Sequence, residues 1–205
     1  MDQYPMSGER VVPMQMQYDP RDLAAEMARY LFALEWCQHK RVLDCSCGTG
    51  YGTEILSYVA DFVLGVDIAP DAVAYARENY STPRNRFVIG DAMNLMPLIS
   101  NMAREWDFDV VASFETIEHL AHPGLFIQAV WDTLEPGGLF IASAPENSGS
   151  SWHVRDFTRR ELLFVLTANR AWSAIRYFCQ GPRLEIIENG EPTWGSPTHI
   201  FLCTR

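Results

Sequence analysis

Val42-Leu43-Asp44-Cys45-Ser46-Cys47-Gly48-Thr49-Gly50-Tyr51-Gly52, followed seventeen residues past Gly50 by the acid Asp67, decides the reading of this chain. Residues 41–44 are a short apolar run ending in an acid, the pattern of a buried parallel strand. Three glycines at alternate positions then let the turn pass close to a ligand before a helix begins. Asp67 closes a second apolar run, residues 61–67, at a point where a carboxylate can accept both hydroxyls of a ribose. Together these features indicate a nucleoside-cofactor site. Ser46 keeps the loop small, but a positive φ at this position would strain a serine.

Further landmarks follow in order. Val88-Ile89-Gly90-Asp91-Ala92 is a third strand ending in an acid, Phe108-Asp109-Val110-Val111-Ala112-Ser113-Phe114 a fourth, and Leu134-Glu135-Pro136-Gly137-Gly138-Leu139-Phe140-Ile141-Ala142 a turn leading into a fifth. A dinucleotide fingerprint would read Gly-x-Gly-x-x-Gly beside a pyrophosphate, whereas Gly48, Gly50 and Gly52 are equally spaced and no basic residue lies in their loop. Over nearly its whole length the chain resembles the class I S-adenosylmethionine-dependent methyltransferases. The resemblance implies an α/β, Rossmann-like fold: a seven-stranded, mostly parallel sheet in the order 3-2-1-4-5-7-6 with helices on both faces.

With 205 residues, 48% of them hydrophobic, the chain can bury a sizeable core, and continuous βα alternation favours one domain over residues 1–205. Within it, residues 1–40 read as an N-terminal arm and cover helix, 41–145 as the cofactor-binding core, and 146–205 as a substrate-side segment with the closing strands. Helices are expected over 21–38, near 51–60, 70–80 and 122–135, and over 156–168. Strands at 184–188 and 199–204, joined by a linker too short for a crossover helix, are expected to close the sheet as a hairpin.

A formal net charge of −10 excludes a phosphate-backbone partner, which would need a clustered basic face. There is no run of eighteen apolar residues and no signal-peptide pattern, so the expectation is a cytoplasmic protein with no membrane partner. The five cysteines are an odd number without metal spacing and read as reduced, buried side chains. A homodimer that completes the acceptor pocket is compatible with this reading.

The resemblance also implies roles, residue by residue. Asp67 holds the ribose hydroxyls, Gly48 and Gly50 admit the methionine portion, and Asp91 with Ala92 meets the adenine, which Ile68 and Met93 wall. Asp44 orients the loop or the cofactor ammonium, and Cys47 and Phe114 line the same site. Ser7-Gly8-Glu9-Arg10-Val11-Val12-Pro13 with Arg29-Tyr30, Ser113-Phe114-Glu115-Thr116-Ile117-Glu118-His119 and His153-Val154-Arg155-Asp156-Phe157 resemble segments of a bacterial subgroup acting in glycan pathways. By that likeness Arg29 reaches the cofactor carboxylate, which a guanidinium can grip bidentately. Arg10 and His153 would then face the acceptor.

A sulfonium is already an activated donor, so the enzyme has to position the acceptor and exclude water. A hydroxyl acceptor also needs a base, for which Glu115, Glu118 and above all His119 are candidates, because an imidazole exchanges protons near neutral pH. No Asp-Asp or His-x-x-x-His ligand set is present, so metal independence is expected. The sequence therefore points to methyl transfer from S-adenosylmethionine, leaving S-adenosylhomocysteine, onto an oxygen of a small molecule or glycan precursor. The alternatives are N-methylation of a small amine or protein side chain, or a non-catalytic cofactor-binding scaffold.

Overall fold

The computed structural model describes residues 12–13, 20–100, 107–168, 170–182, 184–191 and 197–205. The chain divides into two compact units, Met1–Ala92 and Met93–Arg205.

The first unit begins with helix α1 (Pro20–Cys37) and continues through β1 (Arg41–Cys45), α2 (Tyr51–Ser57), β2 (Phe62–Asp67), α3 (Pro70–Asn79) and β3 (Asn85–Ile89). Val42, Leu43, Val63, Leu64 and Val66 are all buried, so β1 and β2 are near-continuous apolar runs with no exposed face to alternate with. The three strands pair in parallel in the order β3-β2-β1, with Cys45 opposite Val66 and Asp67 opposite Ile89. This register brings the end of β1, with its glycine loop, level with Asp67 at the end of β2. The third strand starts three residues before the expected 88–92 and ends at Ile89, which leaves Asp91 in the loop beyond it.

The second unit contains α4 (Leu95–Ser100), β4 (Phe108–Ser113), a 3-10 helix (Ile117–His119), α5 (Pro123–Thr133), β5 (Leu134–Pro145), α6 (Arg159–Thr167), β6 (Ala174–Gln180), β7 (Ile186–Glu188) and β8 (Thr198–Thr204). β4 and β5 pair in parallel, with a register shift between Phe108 and Val110 that accommodates Pro136-Gly137-Gly138. Thr158 and Glu161 start α6 with a reciprocal capping box.

The strand order is β3-β2-β1-β4-β5-β8-β6-β7. It preserves the expected 3-2-1-4-5-7-6 pattern, with β8 as the inserted antiparallel strand, and adds β7 as an eighth strand at the edge. The expected hairpin between 184–188 and 199–204 does not form. β8 pairs with β5 and β6, while β7 pairs with β6 alone among the described strands. No helix among the described residues is long and apolar enough to cross a membrane.

Candidate active site

In the first unit the glycine loop is tied to both acids. Asp67, only 5% exposed, accepts hydrogen bonds from Gly48 N at 2.9 Å through Oδ2 and from Ala69 N at 2.9 Å through Oδ1. Each carboxylate oxygen is thereby oriented by one backbone N–H, and a carboxylate oxygen can accept more than one donor. At Gly48, with φ +54°, a Cβ would meet no atom within 4 Å, so the backbone here faces open space. Gly52 has a different role, because a Cβ there would enter the ring of Tyr30 on α1. This glycine serves helix packing and takes no part in admitting a ligand.

Asp44 is fully buried. It accepts hydrogen bonds from Thr53 Oγ1 at 2.6 Å and Tyr30 Oη at 3.3 Å, which bolt α2 and α1 onto the end of β1. Burial pushes its carboxyl up to about 7; the Thr53 and Tyr30 hydrogen bonds oppose that rise and nearby Asp67 adds to it. Ser46 adopts the left-handed conformation, φ +66°, that its sequence position made a concern. Cys47 N donates to Val66 O at 2.9 Å, and its side chain packs with Val73, Ala76 and Phe87. Burial raises this thiol well above its ordinary range, as it raises those of Cys37, Cys45 and Cys203, and all five cysteines are buried and unbridged. Arg29 is buried on α1, on the same helix as Tyr30 and Glu26, whose carboxylate accepts the Tyr51 hydroxyl. Ile68 is 63% exposed, Asp91 partly buried and Ala92 buried. Arg10 lies outside the described residues.

In the second unit Met93 is partly buried, and Phe114 is buried just after β4. Glu115 follows with φ +51°, a left-handed conformation that costs a residue with a Cβ roughly 1–2 kcal/mol. Ser143 on β5 holds it there: Glu115 N donates to Ser143 Oγ at 3.1 Å, and that hydroxyl donates to Glu115 Oε1 at 2.8 Å. The chain then turns through the 3-10 helix, which buries Glu118 completely and leaves the His119 side chain 29% exposed.

The loop after β5 closes on this helix. Val154 N and Arg155 N donate to Glu118 O at 2.9 and 3.3 Å. His119 Nδ1 lies 3.2 Å from Trp152 O, and its Nε2 is 3.9 Å from Glu118 Oε1. His153 packs edge-on against His119 with ring centroids 4.9 Å apart, and its Nδ1 faces Asp156 Oδ1 at 2.9 Å and Ser148 Oγ at 2.8 Å. That contact holds the Asp156 carboxyl below its usual range. One ligand atom from each of Glu118, His119 and His153 lies within 4.8 Å of the others.

Two groups were not evident in the sequence. Thr53, and the part played by Tyr30, became visible only through their contacts with Asp44. A further buried relay joins the ends of β5, β6 and β8: His199 Nε2 pairs with Glu146 Oε2 at 2.7 Å and its Nδ1 with Tyr177 Oη at 3.0 Å, while Arg159 lies 3.6 Å over the Tyr177 ring. Trp152, in a position where an aromatic ring could stack on an acceptor, is exposed. Trp172 instead closes the core against Phe140 and Trp131, and Trp194 lies outside the described residues.

The loop-and-acid geometry coincides with a family match: residues 43–142 fit a family model described as a methyltransferase domain. This stretch is a class I S-adenosylmethionine-dependent methyltransferase domain. The methyltransferase domain and its flanks are 32% identical over 162 residues to a probable S-adenosylmethionine-dependent methyltransferase of Mycolicibacterium smegmatis, covering 77% of this chain and 60% of that protein. A ubiquinone biosynthesis O-methyltransferase of Cereibacter sphaeroides is 31% identical over 144 residues, covering 68% of this chain and 55% of the relative. The fold matches that of the N-methyltransferase NodS from Bradyrhizobium japonicum, solved in complex with S-adenosyl-L-homocysteine. The TM-score is 0.66 at 16% identity, over 94% of this chain and 91% of that one. The chain thus spans 55–60% of the length of these two curated relatives.

Proposed function

We propose that the chain transfers a methyl group from S-adenosylmethionine to an oxygen of a small molecule or glycan precursor. The observation that carries this reading is the group after β4, where a buried carboxylate and two imidazoles converge beside the strained Glu115. Such a group suits an acceptor that must lose a proton, as a hydroxyl must and a neutral amine need not before attack. The ubiquinone relative, named an O-methyltransferase, supports the same choice, whereas the NodS likeness bears on the fold alone.

When bound, the cofactor supplies an activated methyl carbon, which bonds to the acceptor oxygen as the C–S bond breaks and its electron pair stays on sulfur. Asp67 receives the ribose hydroxyls on the carboxylate that two backbone amides orient. Gly48 gives room to the methionine portion and Gly50, where a Cβ would meet Ala76 and Phe87, lets the loop turn tightly behind it, with Asp44 orienting the loop through Thr53 and Tyr30. Arg29 serves the cofactor carboxylate, Asp91 and Ala92 the adenine edge, and Ile68, Met93, Cys47 and Phe114 the walls. Glu115, Glu118 and His119 receive the acceptor hydroxyl and draw off its proton, with His153 and Arg10 on the acceptor side.

The test is an acceptor screen read by mass spectrometry, offering catechols, vicinal diols, sugar phosphates and amines together with S-adenosylmethionine. Methylation of oxygen acceptors, with turnover at least tenfold lower in His119→Asn, is the expected result. Methylation of amines alone would overturn the oxygen reading.

A further inference from the structure

The buried relay at the ends of β5, β6 and β8 meets both ends of the loop that carries His153. That loop, residues 146–158, starts at Glu146 directly after β5 and is followed by Arg159, the first residue of α6. Strand pairing sets Ala144, His199 and Cys179 in one row, and Glu146 N extends the ladder by donating to Pro197 O at 2.8 Å. The two-residue period of a strand therefore places Glu146, His199 and Tyr177 on one face of the sheet. There His199, 1% exposed, has Glu146 Oε2 2.7 Å from Nε2 and Tyr177 Oη 3.0 Å from Nδ1. The carboxylate accepts, so Nε2 carries the imidazole proton and Nδ1 receives the Tyr177 hydroxyl. The Arg159 guanidinium sits 3.6 Å over the centre of the same Tyr177 ring. Both ends of the loop thus converge on one phenol and one imidazole.

From this convergence we infer that Glu146, His199, Tyr177 and Arg159 form a clasp that sets the loop over residues 146–158, positioning His153 without themselves touching the acceptor. Between its ends the loop is tied to the 3-10 helix through Val154 N and Arg155 N, which donate to Glu118 O. His153 Nδ1 faces Ser148 Oγ and Asp156 Oδ1, both on the loop itself. The orientation of this imidazole therefore follows from loop residues on either side of it, and their placement follows from where the loop starts and ends. The inference rests on the reading that puts His153 on the acceptor side, and it assigns a role to a buried imidazole that methyl transfer does not otherwise use.

Closure of the clasp is linked to protons. His199 faces Glu146 after β5, Tyr177 and Cys179 on β6 and Arg159 on α6, and Arg159 in turn pairs with Glu191 at 3.6 Å. Burial lowers the basicity of His199; Glu146 opposes that effect and Arg159 adds to it. Burial raises the Tyr177 phenol and the Cys179 thiol, so both stay neutral where His199 titrates. Once released to water, an imidazole titrates near its ordinary value of about 6.5. The closed clasp binds this proton less tightly than the open one, so closure is fully present above about pH 6.5 and lost as pH falls below it.

The experiment is amide hydrogen exchange of the full chain without cofactor or acceptor, read by mass spectrometry as protection relative to the intrinsic rate at each pH. Tyr177→Phe removes one oxygen and keeps the ring for Arg159, and Glu146→Ala leaves the Nε2 proton without its acceptor. Each should speed exchange across the loop roughly tenfold while the β5 and β8 amides stay as protected as in the wild type. Glu188→Gln, which weakens an exposed ion pair with Arg176, should leave the loop unchanged. Loop protection in the wild type should fall severalfold from about pH 7.5 to about pH 5.5. In His199→Gln, which keeps a donor toward Glu146 and cannot titrate, it should not. A loop indifferent to Tyr177→Phe and Glu146→Ala would overturn the clasp. So would strands that loosen together with the loop, since the relay would then be a core contact only, and so would a wild-type pH response that is missing or that survives in His199→Gln. Because no acceptor is present, failure here leaves the oxygen-methylation reading standing. Conversely, an amine-only product in the acceptor screen would refute that reading without touching the clasp.

Discussion

At the residue scale, the two acids of the first unit are both buried but differ in their partners. Asp67, at the end of β2, has both oxygens oriented by backbone amides, an arrangement that prepares a carboxylate to receive hydroxyl donors. Asp44 is sealed beneath the loop, where burial raises its carboxyl from the ordinary value near 3.9 to about 7. A carboxyl whose folded pKa lies above its unfolded one binds its proton more tightly when folded. Its contribution to stability is therefore fully present below about pH 4 and lost as pH rises through about 7. Asp44→Asn keeps a carbonyl for Thr53 and removes that titration. Urea midpoints of the wild type should accordingly fall more between pH 5 and pH 8 than those of the variant, and parallel profiles would show that Asp44 does not titrate in this window.

At the scale of elements, the seam between α1 and α2 depends on Gly52. A Cβ at this position overlaps the Tyr30 ring, so Gly52→Ala must displace α1 or rotate Tyr30 off Asp44. Overpacking of this kind costs about 1–3 kcal/mol. In a Tyr30→Ala background the clash disappears, so a double-mutant cycle by urea denaturation should find Gly52→Ala far less costly there; equal costs would deny the contact. This use was not legible from the residues alone, since a glycine that spares a ligand and one that spares an aromatic ring look alike until the partner helix is in place. The first two strands and Asp67 were legible because a parallel strand buried on both faces is an unbroken apolar run ending at its loop. β6 was not: Ala174, Ile175 and Arg176 are exposed or partly so while Tyr177 to Gln180 are all buried, a pattern with neither a period of two nor a continuous apolar run. Missing β6 made 184–188 and 199–204 look like neighbours, although β8 pairs with β5 and β6 instead. Likewise, His119 and His153 could be picked out singly as candidates, but their edge-on contact is made by a loop folding back onto a 3-10 helix.

At the scale of the whole molecule, a net charge of −10 opposes a polyanionic nucleic-acid backbone, which is the charge argument behind our proposal of a small-molecule acceptor. The methyltransferase family match over residues 43–142 and the strand order agree on a cofactor fold, and the oxygen acceptor is our proposal from the carboxylate and imidazoles of the second unit. All of this depends on S-adenosylmethionine binding through the loop tied to Asp67. The most direct measurement is calorimetric titration of the full chain with S-adenosylmethionine and S-adenosylhomocysteine, alongside Asp67→Ala. Micromolar binding of both ligands by the wild type, lost in the variant while its thermal unfolding stays cooperative, is the predicted result. An intact protein that binds neither ligand, or a variant that binds as well as the wild type, would contradict the account.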